Sequence, residues 1–250
     1  MKIPLEDNFR DIANKAQRGL GLPEEEVLQN EDDIRRVAAK LHLGGNALVA
    51  SASQSWYPND LGLIEGLICF NTPYEDFTVN SYLVFDPATK IAAAFDTGSD
   101  CSAMLKQSLM IRQVFITHTH GDHIKALEPL VRQTGAQVYI NEREPIPGAK
   151  PFKDGAAFSI GNLRVETKLT TGHALGGVTY VVTGLEKRLA IVGDAIFAGS
   201  MGGGIINYEE ALRTTRENIL SLPDDTVICP GHGPLTTVGE EKWHNPFFAT

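Results

Sequence analysis

Residues 117–124 read THTHGDHI: Thr117, His118, Thr119, His120, Gly121, Asp122, His123, Ile124. Three of the seven histidines in this 250-residue chain, with one carboxylate, fall inside six positions. Just upstream, Val114-Phe115-Ile116 is a β-branched and aromatic run that predicts a buried strand ending at Thr117. Downstream, Leu127, Leu130 and Val131 are the apolar positions of a helical pattern from Ile124 to Val131. The stretch is therefore a strand-to-helix loop, where a rigid scaffold presents reactive groups. At the end of an extended strand, side chains at i and i+2 share one side, so His118 and His120 can grip a single ion. Gly121 reads as a sharp turn that aims Asp122 and His123 at a neighbouring position. Neutral imidazole with carboxylate is the donor set a borderline-soft divalent cation prefers.

So short a peptide cannot complete two coordination spheres, and the remaining ligands belong on loop ends further along. Three segments qualify, each a strand, then a glycine, then a ligand-capable residue: Thr171-Gly172-His173, Val192-Gly193-Asp194 and Pro230-Gly231-His232. Glycine there permits unusual backbone angles and close approach of the chain to an ion. Taken singly, either histidine could be a polar loop residue, and Asp194 a turn former or helix cap. Taken together, five of the seven histidines fall in one ordered pattern, which argues for a metal site. His42 and His244 fall outside it and read as ordinary. Cys69, Cys101 and Cys229 form no paired or CxxC pattern, so neither a disulfide framework nor a thiolate site is expected.

The ordered set HxHxDH, Gly-His, Gly-Asp, Gly-His resembles the metallo-β-lactamase fold superfamily from roughly Phe70 to the C-terminus. Within it the chain is most similar to the glyoxalase II-like (hydroxyacylglutathione hydrolase-like) branch. The segments that carry the resemblance are VNSYLV and FDTG within 79–98, THTHGDH at 117–123, TTGHALGGVTYVV at 170–182, VGDAIFAGSMGG at 192–203 and LPDDTVICPGHGPLTTVGEEKWHNPFF at 222–248. It implies an α/β fold, an αββα four-layer sandwich, and two divalent metal ions, zinc first with iron or manganese as alternatives. His118, His120 and His173 would hold one ion, and Asp122, His123 and His232 the other. Asp194 would bridge them, while Asp96 would support the ligands from behind. A hydroxide shared by the ions would cleave a thioester or related small ester, with Asp122 or Asp194 moving the proton. The implied partner is a small molecule, a glutathione thioester in the branch's own case. Two departures bear on substrate: few residues follow His232, where glyoxalase II has a helical domain, and Met201-Gly202-Gly203-Gly204 replaces a Gly-Arg pair.

Rival readings share much of this region. A persulfide (sulfur) dioxygenase of the same fold would hold one iron through His118, His173 and Asp194. Lactonases and phosphodiesterases are further alternatives. A reading from another class makes the N-terminal helices a DNA-binding regulator, faintly like the small helical domains of phage-type repressors. The net charge of −9 argues against a nucleic-acid surface. That N-terminal segment carries helical spacing in Phe9, Ile12, Ala13, Ala16 and Leu20, stopped by Gly19 and Gly21. A second short helix is expected from Pro23 with Glu24, Glu25 and Glu26, and a third from Asp32-Asp33 through Ile34, Val37, Ala38 and Leu41.

From Gly66 on, the pattern is α/β. Strands are expected at 79–85, 91–95, 138–140, 163–167, 178–182, 189–192 and 227–229. Helices are expected from Cys101 to Met110 and, last, from about Tyr208 to Leu222. The division is thus residues 1–45, a helical appendage, and 46–250, the hydrolase domain. At 42% hydrophobic and 21% charged, with no apolar run long enough for a bilayer and no signal-peptide pattern at Met1–Asp7, a cytoplasmic address without membrane contact is expected.

Overall fold

Successive residues of a strand face opposite sides of its sheet, and the apolar residues of this chain divide that way into three clusters. In β3 (Ile91–Phe95) and β4 (Met110–Phe115), Ala93, Phe95 and Phe115 join one cluster while Ala92, Ala94 and Val114 join another. In β10 (Leu189–Gly193), Ile191 joins the first cluster and Ala190 and Val192 a third. The shared cluster therefore lies between two sheets, and the other two lie on their outer faces. The computed structural model describes residues 2–23 and 30–249. The helix expected at Glu24–Glu26 lies outside the described residues.

The first sheet has six strands in the order β1 (Leu67–Tyr74), β2 (Phe77–Phe85), β3, β4, β5 (Gln137–Asn141) and β6 (Lys150–Phe152). The second runs β12 (Thr236–Thr237), β11 (Val227–Pro230), β10, β9 (Val178–Thr183), β8 (Leu163–Leu169) and β7 (Ala157–Ile160). β3, β4, β5 and β6 are parallel, as are β10 and β11; the other neighbours are antiparallel. Helices α4 (Ser102–Leu105), α5 (Gly121–Ile124) and α6 (Leu127–Thr134) follow strands of the first sheet, and Met104, Leu127 and Leu130 of α4 and α6 cover its outer face. The second sheet is covered by α1 (Phe9–Gly19), α2 (Glu31–Lys40), α3 (Gly45–Ala52), α7 (Tyr208–Asn218) and α8 (Val238–His244). The arrangement is the expected αββα sandwich. The N-terminal helices share one continuous apolar cluster with β10, β11 and α7, and residue 45 is the first residue of α3.

Local expectations needed adjustment where tertiary pairing overrides spacing. The helix expected over Cys101–Met110 is one turn, because Met110 already pairs with Ile91 in the parallel ladder. The helix expected over Ile124–Val131 is two helices: α6 restarts at Leu127 because Pro129, lacking an N–H, fits only a first turn. α7 stops at Asn218, four residues short of the expectation, and α8 follows it. The start of α8 was legible: Thr237, three residues before Glu240, is its N-cap, with the Glu240 N–H donating to Thr237 Oγ1 at 3.2 Å.

Two buried tyrosines cross the layer between the sheets. Tyr180 of β9 donates to the Ile116 carbonyl at 2.7 Å, and Tyr82 of β2 to the Pro230 carbonyl at 2.7 Å. Each acceptor lies one or two residues before a ligand-bearing loop. Asn80, also buried, donates to the Pro230 and Gly233 carbonyls at 3.0 and 2.8 Å. Tyr180→Phe should therefore cost about 1–3 kcal/mol, because the Ile116 carbonyl is left buried without a donor. Urea denaturation of the two proteins checks this, and equal midpoints would mean the bond contributes nothing.

Candidate metal centre

Each expected ligand leaves a strand at the same edge of the sandwich. His118, His120, Asp122 and His123 follow β4, His173 follows β8, Asp194 follows β10 and His232 follows β11. The structure brings all seven together in two groups, His118, His120, His173 and Asp194, and Asp122, His123 and His232. Within each group the candidate ligand atoms all lie within 4.8 Å of one another. Asp194 faces both: its Oδ2 lies 3.5 Å from His173 Nε2, 3.9 Å from His118 Nε2 and 3.4 Å from His232 Nε2, while Oδ1 lies 3.2 Å from His123 Nε2. Asp122 Oδ2 lies 3.3 Å from His232 Nε2 and 3.4 Å from His123 Nε2.

Hydrogen bonds behind the imidazoles set which nitrogen faces inward. His123 Nδ1 donates to Asp96 Oδ2 at 2.8 Å, His173 Nδ1 to the Gly203 carbonyl at 2.8 Å, and His232 Nδ1 to the Thr78 carbonyl at 2.7 Å. Thr117 donates its hydroxyl to Asp96 at 2.7 Å, so it can only accept from His118 Nδ1, 3.0 Å away. In the neutral ring each of these four histidines therefore turns a bare Nε2 lone pair into the cluster, the tautomer a metal ligand needs. His120 Nδ1 meets two of them, His118 Nε2 and His173 Nε2, at 3.0 Å each. One ring hydrogen cannot satisfy both.

The residues fit a metal. His123 Nε2 and Asp194 Oδ1 are buried and make no hydrogen bond despite standing 3.2 Å apart. Tetrahedral donors about 2.0–2.1 Å from a zinc ion stand roughly 3.3–3.4 Å from one another, close to the separations found. A Cβ at Gly231 would stand 2.1 Å from Asp194 Oδ1 and 2.6 Å from His123 Cε1, so a side chain would intrude on the cluster. Gly121 has a different role from the one its sequence context implied. It starts α5 without a positive φ, and a Cβ there would stand 2.8 Å from the Tyr74 hydroxyl.

The sequence profile of the metallo-beta-lactamase superfamily matches residues 74–232. The chain belongs to the metallo-beta-lactamase superfamily. Among its relatives is a probable metallo-hydrolase of Bacillus subtilis, YqgX, 31% identical over 66% of this chain and 86% of that one. The hydroxyacylglutathione hydrolase GloC of Haemophilus influenzae is 27% identical over 70% of this chain and 95% of its own length. Among solved structures, TTHA1623 in a di-iron-bound form superposes with a TM-score of 0.59 at 25% identity, covering 71% of this chain and 99% of that one. The chain is thus a hydrolase of this superfamily, with His/Asp clusters that could bind metal.

Charge in this superfamily member's cluster is finely opposed. Burial disfavours the Asp194 carboxylate, but His232 and His123 outweigh it and hold its pKa well below the usual range. Burial likewise opposes charge on His123 and His232, yet Asp194, with Asp96 and Asp122, raises them to about 10 and about 11. His118 and His120 go down, by burial and by neighbouring imidazoles.

Two further carboxylates brace the cluster, and of these only Glu144 carried no sequence signal. Asp96, anticipated as a support, sits at φ +54°, strained for a non-glycine residue, and accepts from the Thr117 N–H and hydroxyl as well as from His123. Glu144, on the turn after β5, accepts from the Thr119 N–H at 2.9 Å and hydroxyl, and from the Gly176 N–H at 3.2 Å. It ties the loop between two ligands to the loop after His173. A cavity of about 190 Å³ opens over His173, Asp194 and His232, walled by Phe77 and Phe197 and by Glu6 and Lys15 from the N-terminal segment. A larger hollow of about 380 Å³ beside Arg112 and Gln133 is lined by no member of either cluster.

Because His123 and His232 hold protons at neutral pH, metal uptake must displace them. Adding zinc to weakly buffered protein near pH 7 should release protons, and affinity should rise with pH until His123 and His232 lose their protons, at about 10 and about 11. Dye-monitored titration checks both, and uptake without acidification would refute the charge assignment. Glu144→Ala should weaken metal affinity about 10–100-fold, measured by competition with a chromophoric chelator. Unchanged affinity would relegate Glu144 to a loop contact.

Proposed function

We propose that this chain is a two-metal hydrolase that cleaves a thioester or a related small ester, with a glutathione thioester as the first candidate. The observation that carries this reading is Asp194, whose two oxygens face histidines of both clusters. His118, His120 and His173 would hold one divalent ion, Asp122, His123 and His232 the other, and Asp194 both. When bound, such ions lower the pKa of a water from about 15.7 to near 7 and polarise the carbonyl beside it. Zinc is the first choice for these donors, with iron or manganese as alternatives.

The chain's own residues supply the rest. Asp122 Oδ2 faces His123 and His232, which leaves the second oxygen to hold the proton of the attacking water and pass it to the departing thiolate. Phe77 and Phe197 meet the His232 ring edgewise at 5.4 Å each and wall the cavity with apolar surface. No covalent intermediate is required. Burial pushes the Cys229 thiol far up and Cys69 to about 11, so neither is a thiolate nucleophile at neutral pH. The likeness to GloC supports the thioester reading over a lactone or phosphodiester, and the likeness to a di-iron structure supports two ions over one.

The test is elemental analysis of purified protein alongside turnover of S-lactoylglutathione, a generic thioester, a lactone, a phosphodiester and glutathione persulfide. Two ions per chain and thioester cleavage are expected. His120→Ala and Asp194→Asn should each lose metal and roughly a thousandfold or more in kcat/KM. One iron per chain with oxygen uptake on the persulfide would overturn the proposal in favour of a dioxygenase.

A further inference from the structure

The family match begins at Tyr74, so the N-terminal segment lies outside the part of the chain the family accounts for. That segment forms one wall of the cavity over the metal centre. Asp7 accepts from Ser200 Oγ at 2.6 Å and pairs with Lys15, and Lys15 donates to the Met201 carbonyl at 2.9 Å. Ser200 and Met201 lie on the loop that leaves Asp194, so the wall is stapled to the site. Lys15 also sits 5.3 Å above the centre of the Phe197 ring. Glu6 passes over Gly233, the residue after His232, where a Cβ would stand 3.5 Å from its backbone nitrogen.

The acids on this wall are not equivalent. Asp7 is satisfied by Lys15 and Ser200. Glu6 lines the same cavity as His173, Asp194 and His232, yet it belongs to neither ligand cluster. Among the described residues its carboxylate has no hydrogen-bond or ion-pair partner. It is partly buried, and that burial, with Asp7 and Asp194 nearby, raises its pKa against the pull of His232 and Lys15, so a cation reaching it would replace hydration already lost. Lys15 makes its ion pair and hydrogen bond with Asp7 and the Met201 carbonyl instead. The cavity thus offers one uncommitted anionic group beside the ligands, between aromatic walls that lower the local dielectric and strengthen a charge pair.

We propose that Glu6 is a specificity-determining residue whose carboxylate takes an ammonium group of the substrate, so that thioesters carrying a free primary amine are preferred over their N-acylated counterparts. The inference rests on the hydrolase reading for the reacting bond, but the recognition itself needs no turnover. It also gives the N-terminal segment a role in the site, as a wall standing where the catalytic sandwich alone would leave the cleft open.

Calorimetry of the metal-loaded full chain with S-methylglutathione, which cannot be hydrolysed, and with the same compound acetylated on its amine, tests this directly. The free-amine form should bind about tenfold tighter, as one charge-assisted hydrogen bond allows. Glu6→Gln should bind both forms alike, at the weaker affinity, with an unchanged melting temperature. Equal behaviour of the two forms with the unsubstituted protein, including failure to bind either, would overturn the inference, as would a preference that survives in Glu6→Gln. Cleavage of S-lactoylglutathione without any amine preference would defeat this inference alone. Amine preference without cleavage of any ester would defeat the hydrolase reading alone.

Discussion

A carboxylate buried among imidazoles governs this molecule. Asp194 is nearly inaccessible, and four histidine nitrogens stand within 3.9 Å of it. Burying a charge is expensive unless it is paired. His123 and His232 are the charge partners of Asp194, each with its pKa raised by it, and His123 Nε2 and Asp194 Oδ1 stand within the cluster without hydrogen bonds. Divalent cations would meet the same need more completely, since they would pair with the carboxylates and occupy the inward lone pairs together.

The sandwich exists to hold that arrangement rigid. The candidate ligands arrive from β4, β8, β10 and β11 at one edge, and the groups behind them come from β2 and from the loops after β3, β5 and β10. Tyr82, Asn80 and Tyr180 reach between the sheets to grip backbone next to the ligand loops, so separation of the two sheets would disturb both clusters. Such outer contacts orient the ligands and fix their tautomers. The packed aromatic layer around Phe115, with Phe95, Phe158 and Tyr180 at 5.0–5.3 Å, maintains the spacing.

The ligands were legible because their chemistry is local: a strand end, a glycine and a histidine or aspartate sit within three or four residues. The layer order followed from resemblance, and the alternation in β3, β4 and β10 explains it physically. Much of the rest depends on pairing between distant segments. The edge strands β1, β6, β7 and β12 carry weak patterns, with Pro73 and Pro151 inside two of them. The helix over Cys101–Met110 stops at Leu105, because the chain must reach Met110, which pairs with Ile91 of another strand. Glu144 looked like any loop acid, since its value comes from Thr119 and Gly176. The N-terminal segment was legible as helices but not as an active-site wall, because Asp7, Lys15, Ser200 and Met201 meet only in three dimensions.

The central claim is that Asp194 is shared by two metal positions held in one rigid cluster. Electron paramagnetic resonance of the protein loaded with two equivalents of manganese(II) measures that sharing, because ions joined through a common carboxylate are magnetically coupled. The account predicts an exchange-coupled spectrum that collapses to that of isolated ions in Asp194→Asn. A spectrum of isolated ions in the unsubstituted protein, at full loading, would contradict it.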